Sequence, residues 1–310
     1  MQEQAVKERL YINEVGLRDG LQLEKKYLDT EIKWRIFSML HQAGIDRLEL
    51  SSFVSPKAVP QMSDAGALFT QSQAHPHVRS TALVVNEKGY QRAIEHGAKA
   101  VAAVLIPSET LSMKNSRKTV DQAMSFIQDL LQQARRDQVW TRVYLSVAWV
   151  CPFEGAIPAD RILSMAHQVN EWGCDEIALA DTIGHAHPLE VASLCKAVGH
   201  IVGMDKLAVH LHDTLAMGLA NAAAAISTGV RIIDASLGGL GGCPFAPGSR
   251  GNLATEDLLL MAEKMGFDTG VSIEKIYQAV HYTEEMLGRP LGGRTKAWWM
   301  EHHANTTHNT

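Results

Sequence analysis

Short apolar runs rich in β-branched residues alternate with amphipathic stretches along nearly the whole chain, and this alternation limits the available folds more than any single motif. Runs at 10–15, 47–51, 78–85, 100–106, 142–150, 176–180, 207–211 and 231–236 read as strands. Stretches at 30–42, 90–96, 119–136, 158–172, 188–201 and 217–228 carry the spacing of helices with one apolar face. Such repetition means βα units and a parallel sheet. About eight units in about 260 residues match a TIM (β/α)8 barrel. An open doubly wound sheet is the rival, but the first βα turn, VGLRDGLQ, lacks the GxGxxG of a dinucleotide site. The expectation is an α/β barrel over residues 8–277 and a short C-terminal helical extension over 278–310, with 296–310 reading as a fraying terminus.

Charge and cysteine usage narrow the function classes. A formal net charge of -5 and the lack of a Lys/Arg patch argue against nucleic acid as a partner. The start, MQEQAVKERLYINEVG, has no apolar targeting core, and no apolar run is long enough for a membrane span, so the chain reads as cytoplasmic with no membrane partner. The four cysteines, Cys151, Cys174, Cys195 and Cys243, are scattered without a CxxC and suit reduced thiols. A homo-oligomer is compatible with all of this.

Chemistry in a barrel gathers at the carboxyl ends of the strands. Those ends carry Arg18, Asp19 and Gln22 after the first strand, Glu49 on the second, Asp181 on the sixth, His210 and His212 on the seventh, and Cys243 and Asn252 after the eighth. His210 and His212 are two apart on a strand, so both rings leave one face and can hold a divalent ion. They could equally be a hydrogen-bonded pair, as Glu49 and Asp181 could be salt-bridge or helix-cap residues. The run GGLGGCPFAPGSRGN is a loop able to close over such a site, and it is no Walker loop because no GK[ST] follows.

The stretches NEVGLRDGLQLEK, LELSSFVSPKAVPQMSD, SVAWVCPFEG, DTIG, VHLHDT and GGLGGCPFAPGSRGNLATEDL together resemble the 3-hydroxy-3-methylglutaryl-CoA lyase family, within the metal-dependent TIM-barrel lyases, aldolases and Claisen synthases. The resemblance implies a metal set of Asp19, His210, His212 and Asn252, with Arg18 on the substrate carbonyl and Cys243 as catalytic thiol. It further implies Glu49 and Asp181 as inner-site carboxylates and Lys114 and Asn115, in SETLSMKNS, near the arm of an acyl-CoA substrate. Two imidazoles, a carboxylate and an amide suit Mg2+ or Mn2+. The implied reaction splits a 3-hydroxyacyl-CoA into acetyl-CoA and a keto acid, a step of leucine degradation, with Asp19 or His210 as base. A Claisen synthase, a 4-hydroxy-2-oxo acid aldolase and a non-catalytic metal-stabilised barrel are the competing readings. Leu17, Leu23, Trp149, Phe153, Leu215 and Met217 depart from the family pattern. If Trp149, Phe153, Leu215 and Met217 wall the pocket, a substrate with a bulkier 3-alkyl group, or citramalyl-CoA, is expected to suit it.

Overall fold

The computed structural model describes residues 7–242 and 251–303. In chain order its strands are β1 (Tyr11–Glu14), β2 (Arg47–Ser52), β3 (Arg79–Leu83), β4 (Ala100–Leu105), β5 (Trp140–Leu145), β6 (Val150–Cys151), β7 (Gly155–Ala156), β8 (Glu176–Asp181), β9 (Leu207–Leu211) and β10 (Ile232–Ala235). Eight of them close into a parallel barrel in the order β1-β10-β9-β8-β5-β4-β3-β2, while β6 and β7 form a small antiparallel hairpin. The helices are α1 (Thr30–Gln42), α2 (Ala65–Ser72), α3 (Glu87–Glu95), α4 (Glu109–Ser116), α5 (Val120–Asp137), α6 (Ala159–Glu171), α7 (Pro188–Val202), α8 (Gly218–Ser227), α9 (Thr255–Lys264), α10 (Ile273–Leu287) and α11 (Lys296–His303). The barrel expected from the alternation is the fold observed.

Local chemistry sets the helix starts. Asp29 accepts the Ile32 N–H at 2.9 Å ahead of α1, and Thr119 and Gln122 satisfy one another's backbone amides at the start of α5. Each such cap contributes about 1 kcal/mol by supplying an acceptor that the first turn lacks. Pro188 opens α7, where no N–H is needed. Along β8, Ile177 and Leu179 join the main core while Ala178 and Ala180 join a smaller cluster with Leu83, Ala102, Tyr144, Ala208 and Ile232. One strand therefore alternates between the helices outside and the barrel interior. The alanines facing inward on β4, β8 and β9 leave room for larger polar side chains there.

Several expectations are revised. The strand placed at 142–150 ends at Leu145, because the Ser146 N–H bonds Leu105 and the Val147 N–H bonds the Thr182 hydroxyl, both at 2.9 Å, and Val147 turns with φ 46°. Helices α2, α4 and α9 carry little periodic signal. In α9 Glu256 and Asp257 are buried, contrary to the polar-out rule, and in α4 the buried residues are only Leu111 and Ser112. The stretch expected to fray folds as α11 through His303, with Trp299 stacked on Tyr277 at 5.0 Å. Helix α10 runs unbroken through residues 277 and 278, where the sequence reading divides barrel from extension. Among the described residues no helix is long and apolar enough to cross a membrane.

Candidate active site

Just after β1 the chain makes one wide helical turn, Gly16–Gly20, that carries Arg18 and Asp19. A side chain at Gly16 would lie 2.6 Å from Glu14 Oε1, and one at Gly20 would lie 2.9 Å from Leu240 Cβ and Ser236 Oγ. The two glycines thus let this turn press against the segment after β10. Arg18 is fixed by carboxylates on both sides: its Nε donates to Glu49 Oε2 and its Nη1 to Asp19 Oδ1, each at 2.5 Å. Burial works against the guanidinium, but Glu49 and Asp19 outweigh it and hold Arg18 cationic.

His210 and His212 point into the same space from the end of β9, with their Nε2 atoms 3.2 Å apart. His212 Nε2 is 4.0 Å from Asp19 Oδ2. Asn252 reaches them because the chain after the glycine loop pairs beside His212, its Leu253 N–H bonding Leu211 O at 2.9 Å. Both amide hydrogens of Asn252 are used, on Asp19 Oδ2 at 2.8 Å and Leu240 O at 2.9 Å. Its Oδ1 is buried with no hydrogen-bond partner. An unmatched carbonyl oxygen beside two imidazoles and a carboxylate fits a divalent cation, and Asp19, His210 and His212 by themselves can hold one. A Cβ at Gly241 would come within 2.5 Å of Asn252 Nδ2 and 3.5 Å of Asp19 Oδ2, so this cradle requires glycine.

Beneath the pair lies a polar barrel interior. Asp234 on β10 accepts from His210 Nδ1 at 3.1 Å, Tyr144 Oη at 2.9 Å, Arg142 Nη2 at 2.7 Å and Asn13 Nδ2 at 2.9 Å. Those four bonds fill the carboxylate's acceptor capacity. They also put the proton of His210 on Nδ1, leaving its Nε2 lone pair for the site. Burial would raise the Asp234 carboxyl, but Arg142 first and then His210 hold it down at about 2. His212 is pushed down to about 4 by burial and by the neighbouring His210, so its ring is uncharged at neutral pH. Burial likewise opposes ionisation of Asp19, yet Arg18 and the two histidines keep its carboxyl below the usual range.

These groups open on a cavity of about 140 Å3 lined by Arg18, Asp19, Gln22, His210, His212, Asn115, Tyr144, Ser146 and Thr182, with an apolar wall of Leu23, Val104, Ile106 and Leu111. Of the residues expected to bind substrate, Arg18, Gln22 and Asn115 are among those that line it. Glu49 lies fully buried behind Arg18. Lys114 is outside the cavity, its ammonium 5.1 Å from the Phe153 ring centroid. Asp181 is also outside: its carboxylate accepts the His185 and Ala186 N–H groups at 3.0 Å, because Ala180 takes the inward position on β8. Trp149 is packed in the core, and Phe153 and Leu215 are exposed. None of Trp149, Phe153, Leu215 or Met217 lines the cavity, which removes the ground for expecting a bulkier substrate. Leu23 is the departing residue that does line it. Cys243 lies outside the described residues, next to Gly242, which lines the cavity. The other cysteines are free and buried, and burial pushes the thiols of Cys174 and Cys195 up to about 12. Sequence reasoning missed Tyr144, Arg142 and Asp234. Strand alternation in RIIDAS, applied beside His210, would have found Asp234.

A closed parallel barrel with two histidines, a carboxylate and an amide at the carboxyl ends of its strands defines a TIM-barrel protein with a candidate divalent-metal centre. A family model described as HMGL-like matches residues 9–282, and the chain belongs to that family. It is 39% identical over 283 residues to the mitochondrial hydroxymethylglutaryl-CoA lyase of Mus musculus, covering 91% of this chain and 87% of that one. The hydroxymethylglutaryl-CoA lyase structure from Pseudomonas aeruginosa is 35% identical, with a TM-score of 0.92 and coverage of 96% and 99% of the two chains. An HMG-CoA lyase from Acinetobacter baumannii, solved in complex with coenzyme A and 3-methylmalate, is 35% identical with a TM-score of 0.89, covering 93% and 94%.

Proposed function

We propose that this chain is a divalent-metal-dependent carbon–carbon lyase that cleaves 3-hydroxy-3-methylglutaryl-CoA to acetyl-CoA and acetoacetate. The observation that carries the reading is the convergence of Arg18, Asp19, His210 and His212 at one cavity, with Asn252 bonded to Asp19, in a chain of the HMGL-like family. Asp19, His210, His212 and Asn252 would hold Mg2+ or Mn2+, which when bound supplies Lewis acidity toward substrate oxygens. In the reaction the C3 hydroxyl loses its proton and the C2–C3 bond breaks with its electron pair moving to C2. A ketone forms at C3, and the thioester enolate then takes a proton on carbon.

Asp19 lines the cavity and is the candidate acceptor of the hydroxyl proton, because His210 carries its own proton on Nδ1 toward Asp234 and its Nε2 lone pair would go to the ion. Arg18, held in place by Glu49 and Asp19, stabilises the negative charge that grows on the thioester oxygen. Its fixed position means little reorganisation as that charge forms. Glu49 is a positioning residue in this scheme. The thiol of Cys243 donates the proton to C2, and Gln22 and Asn115 bind the acyl portion from the cavity wall. Lys114, outside the cavity and next in sequence to Asn115, suits the phosphates of the CoA arm. None of Trp149, Phe153, Leu215 or Met217 lines the cavity, which supports the methyl compound over larger 3-alkyl homologues. Incubating the Mn2+-loaded protein with 3-hydroxy-3-methylglutaryl-CoA and a 3-propyl homologue, with products identified by mass spectrometry, tests the reading. Acetyl-CoA and acetoacetate should appear, the methyl compound being preferred by about tenfold or more, a difference of about 1.4 kcal/mol. An inert methyl compound would overturn the assignment.

A further inference from the structure

Three more imidazoles converge on the opposite face of the barrel. His41 ends α1, and His75 and His77 flank Pro76 in the connection from α2 to β3. The two loop histidines line a depression of about 570 Å3 whose floor includes Arg47, Arg79, Ala100 and Trp140, the residues that begin β2, β3, β4 and β5. Nothing in the proposed chemistry uses this face. His41 Nε2 lies 3.3 Å from His77 Nε2, and one ring nitrogen of each of the three histidines lies within 4.8 Å of the others.

Two nitrogens held at about 2.0–2.1 Å by a tetrahedral ion sit about 3.3–3.4 Å apart. The His41–His77 separation matches that chord. An imidazole pair sharing one proton could show the same distance, but it has no use for a third ring. His75 is nevertheless turned toward the pair, its ring centroid 5.1 Å from that of His41 and 6.1 Å from that of His77. Its loop is pinned by backbone bonds from His75 to Ser72 O at 2.9 Å and from Val78 to His75 O at 3.0 Å, and Pro76 fixes one more torsion. The ring itself leans on Trp34 and Phe37, at 5.7 and 5.5 Å. Three ligands are thus largely placed before any ion arrives.

We propose that His41, His75 and His77 form a second metal site, suited to a transition ion of the Zn2+ class, which ties the end of α1 to the connection leading into β3. The donor set makes the distinction from the first site: three neutral nitrogens select Zn2+, Co2+ or Ni2+, whereas the carboxylate and amide at the barrel top suit Mg2+ or Mn2+. The nearby cations Arg47, Arg79 and Lys99, opposed by Asp46, favour water or an anion in the fourth position.

The test uses the untagged full-length protein titrated with Co2+, alongside His41→Ala and His77→Ala. Wild type should take up a second equivalent with the intense visible absorption of four-coordinate Co2+. Both variants should lose that absorption and bind the second equivalent at least about tenfold more weakly. Their Mn2+ affinity at the barrel-top site, read by paramagnetic resonance, should be unchanged, which shows an intact fold. Zn2+ should raise the melting temperature of wild type more than that of either variant. Uptake of a single equivalent by wild type, or a second equivalent with its absorption persisting in both variants, would overturn the proposal.

Discussion

Asp234 shows how one residue governs a site it does not line. Its Oδ1 serves Arg142 and Asn13, and its Oδ2 serves Tyr144 and His210. In Asp234→Asn the oxygen is best kept for buried Arg142, because a guanidinium can only donate hydrogen bonds and an amide N–H turned toward it would find no acceptor. The new amide N–H groups then face His210, which must accept on Nδ1 and carry its proton on Nε2, where it blocks a coordination bond. Mn2+ affinity should fall by about 10–100-fold, as measured by titration followed by paramagnetic resonance. An unchanged affinity would show that His210 is not a ligand through Nε2. Cys243 is argued at the same scale, from chemistry alone. Cys243→Ser should keep substrate affinity nearly intact and lower kcat by about a hundredfold or more, because a hydroxyl is a far weaker acid than a thiol. Steady-state kinetics at the wild-type rate would reduce the thiol to a packing residue.

At the scale of elements, the decisive piece is the segment from β10 to α9. Ser236 N–H bonds Leu253 O at 2.9 Å, so the chain leaves and rejoins the barrel at one place, bracketing the masonry around Asn252. The C-terminal extension buttresses it: Gly292 N–H bonds Gly238 O at 3.1 Å, Glu256 Oε1 accepts the Gly293 N–H at 2.6 Å, and Arg294 Nη2 bonds Asp213 Oδ2 at 2.8 Å. Gly241 has φ 117°, and a Cβ there would lie 2.5 Å from the Asn252 amide nitrogen. Gly241→Ala therefore combines backbone strain of about 1–3 kcal/mol with displacement of a ligand. The variant should fold, with circular dichroism like wild type, and show metal affinity reduced by at least about tenfold. Normal metal binding would mean that the loop can shift without cost to the site.

At the scale of the whole molecule, buried carboxyls set the response to pH. Burial raises both Glu14 and Glu256 from 4.5 to about 7. The folded chain consequently binds more protons than the unfolded chain between those values. Their stabilising contribution is full below about 4.5, falls as pH rises toward 7, and is lost above it, by up to about 1.4 kcal/mol per pH unit for each group. Asp234 acts in the other direction: its contribution is present above its unfolded value of 3.8 and is lost as pH falls through about 2. Glu14 bonds the Gly16 and Leu237 amides through Oε1 and the Thr255 hydroxyl through Oε2, so glutamine can imitate its neutral form. Glu14→Gln should flatten the decline in melting temperature between pH 5 and about 7. Scanning calorimetry with a chelator present, to remove metal uptake, would read the slope; an unaltered slope would refute the argument.

The sequence by itself determined the barrel, because the periods of strand and helix are local and each βα unit repeats them. It also determined the HxH pair and the Arg18–Asp19 turn, since a two-residue spacing and flanking glycines need no distant partner. The tertiary structure alone decided which other polar groups serve the cavity. Glu49 and Asp234 face inward, where Arg18 and His210 meet them across 31 and 24 residues of chain. Asp181, one position past the inward-facing Ala180, turns to its own loop. Strand β5 ends at Leu145 and the chain turns at Val147, so strand alternation no longer applies at Trp149, which is buried in the core, or at Phe153, which is exposed.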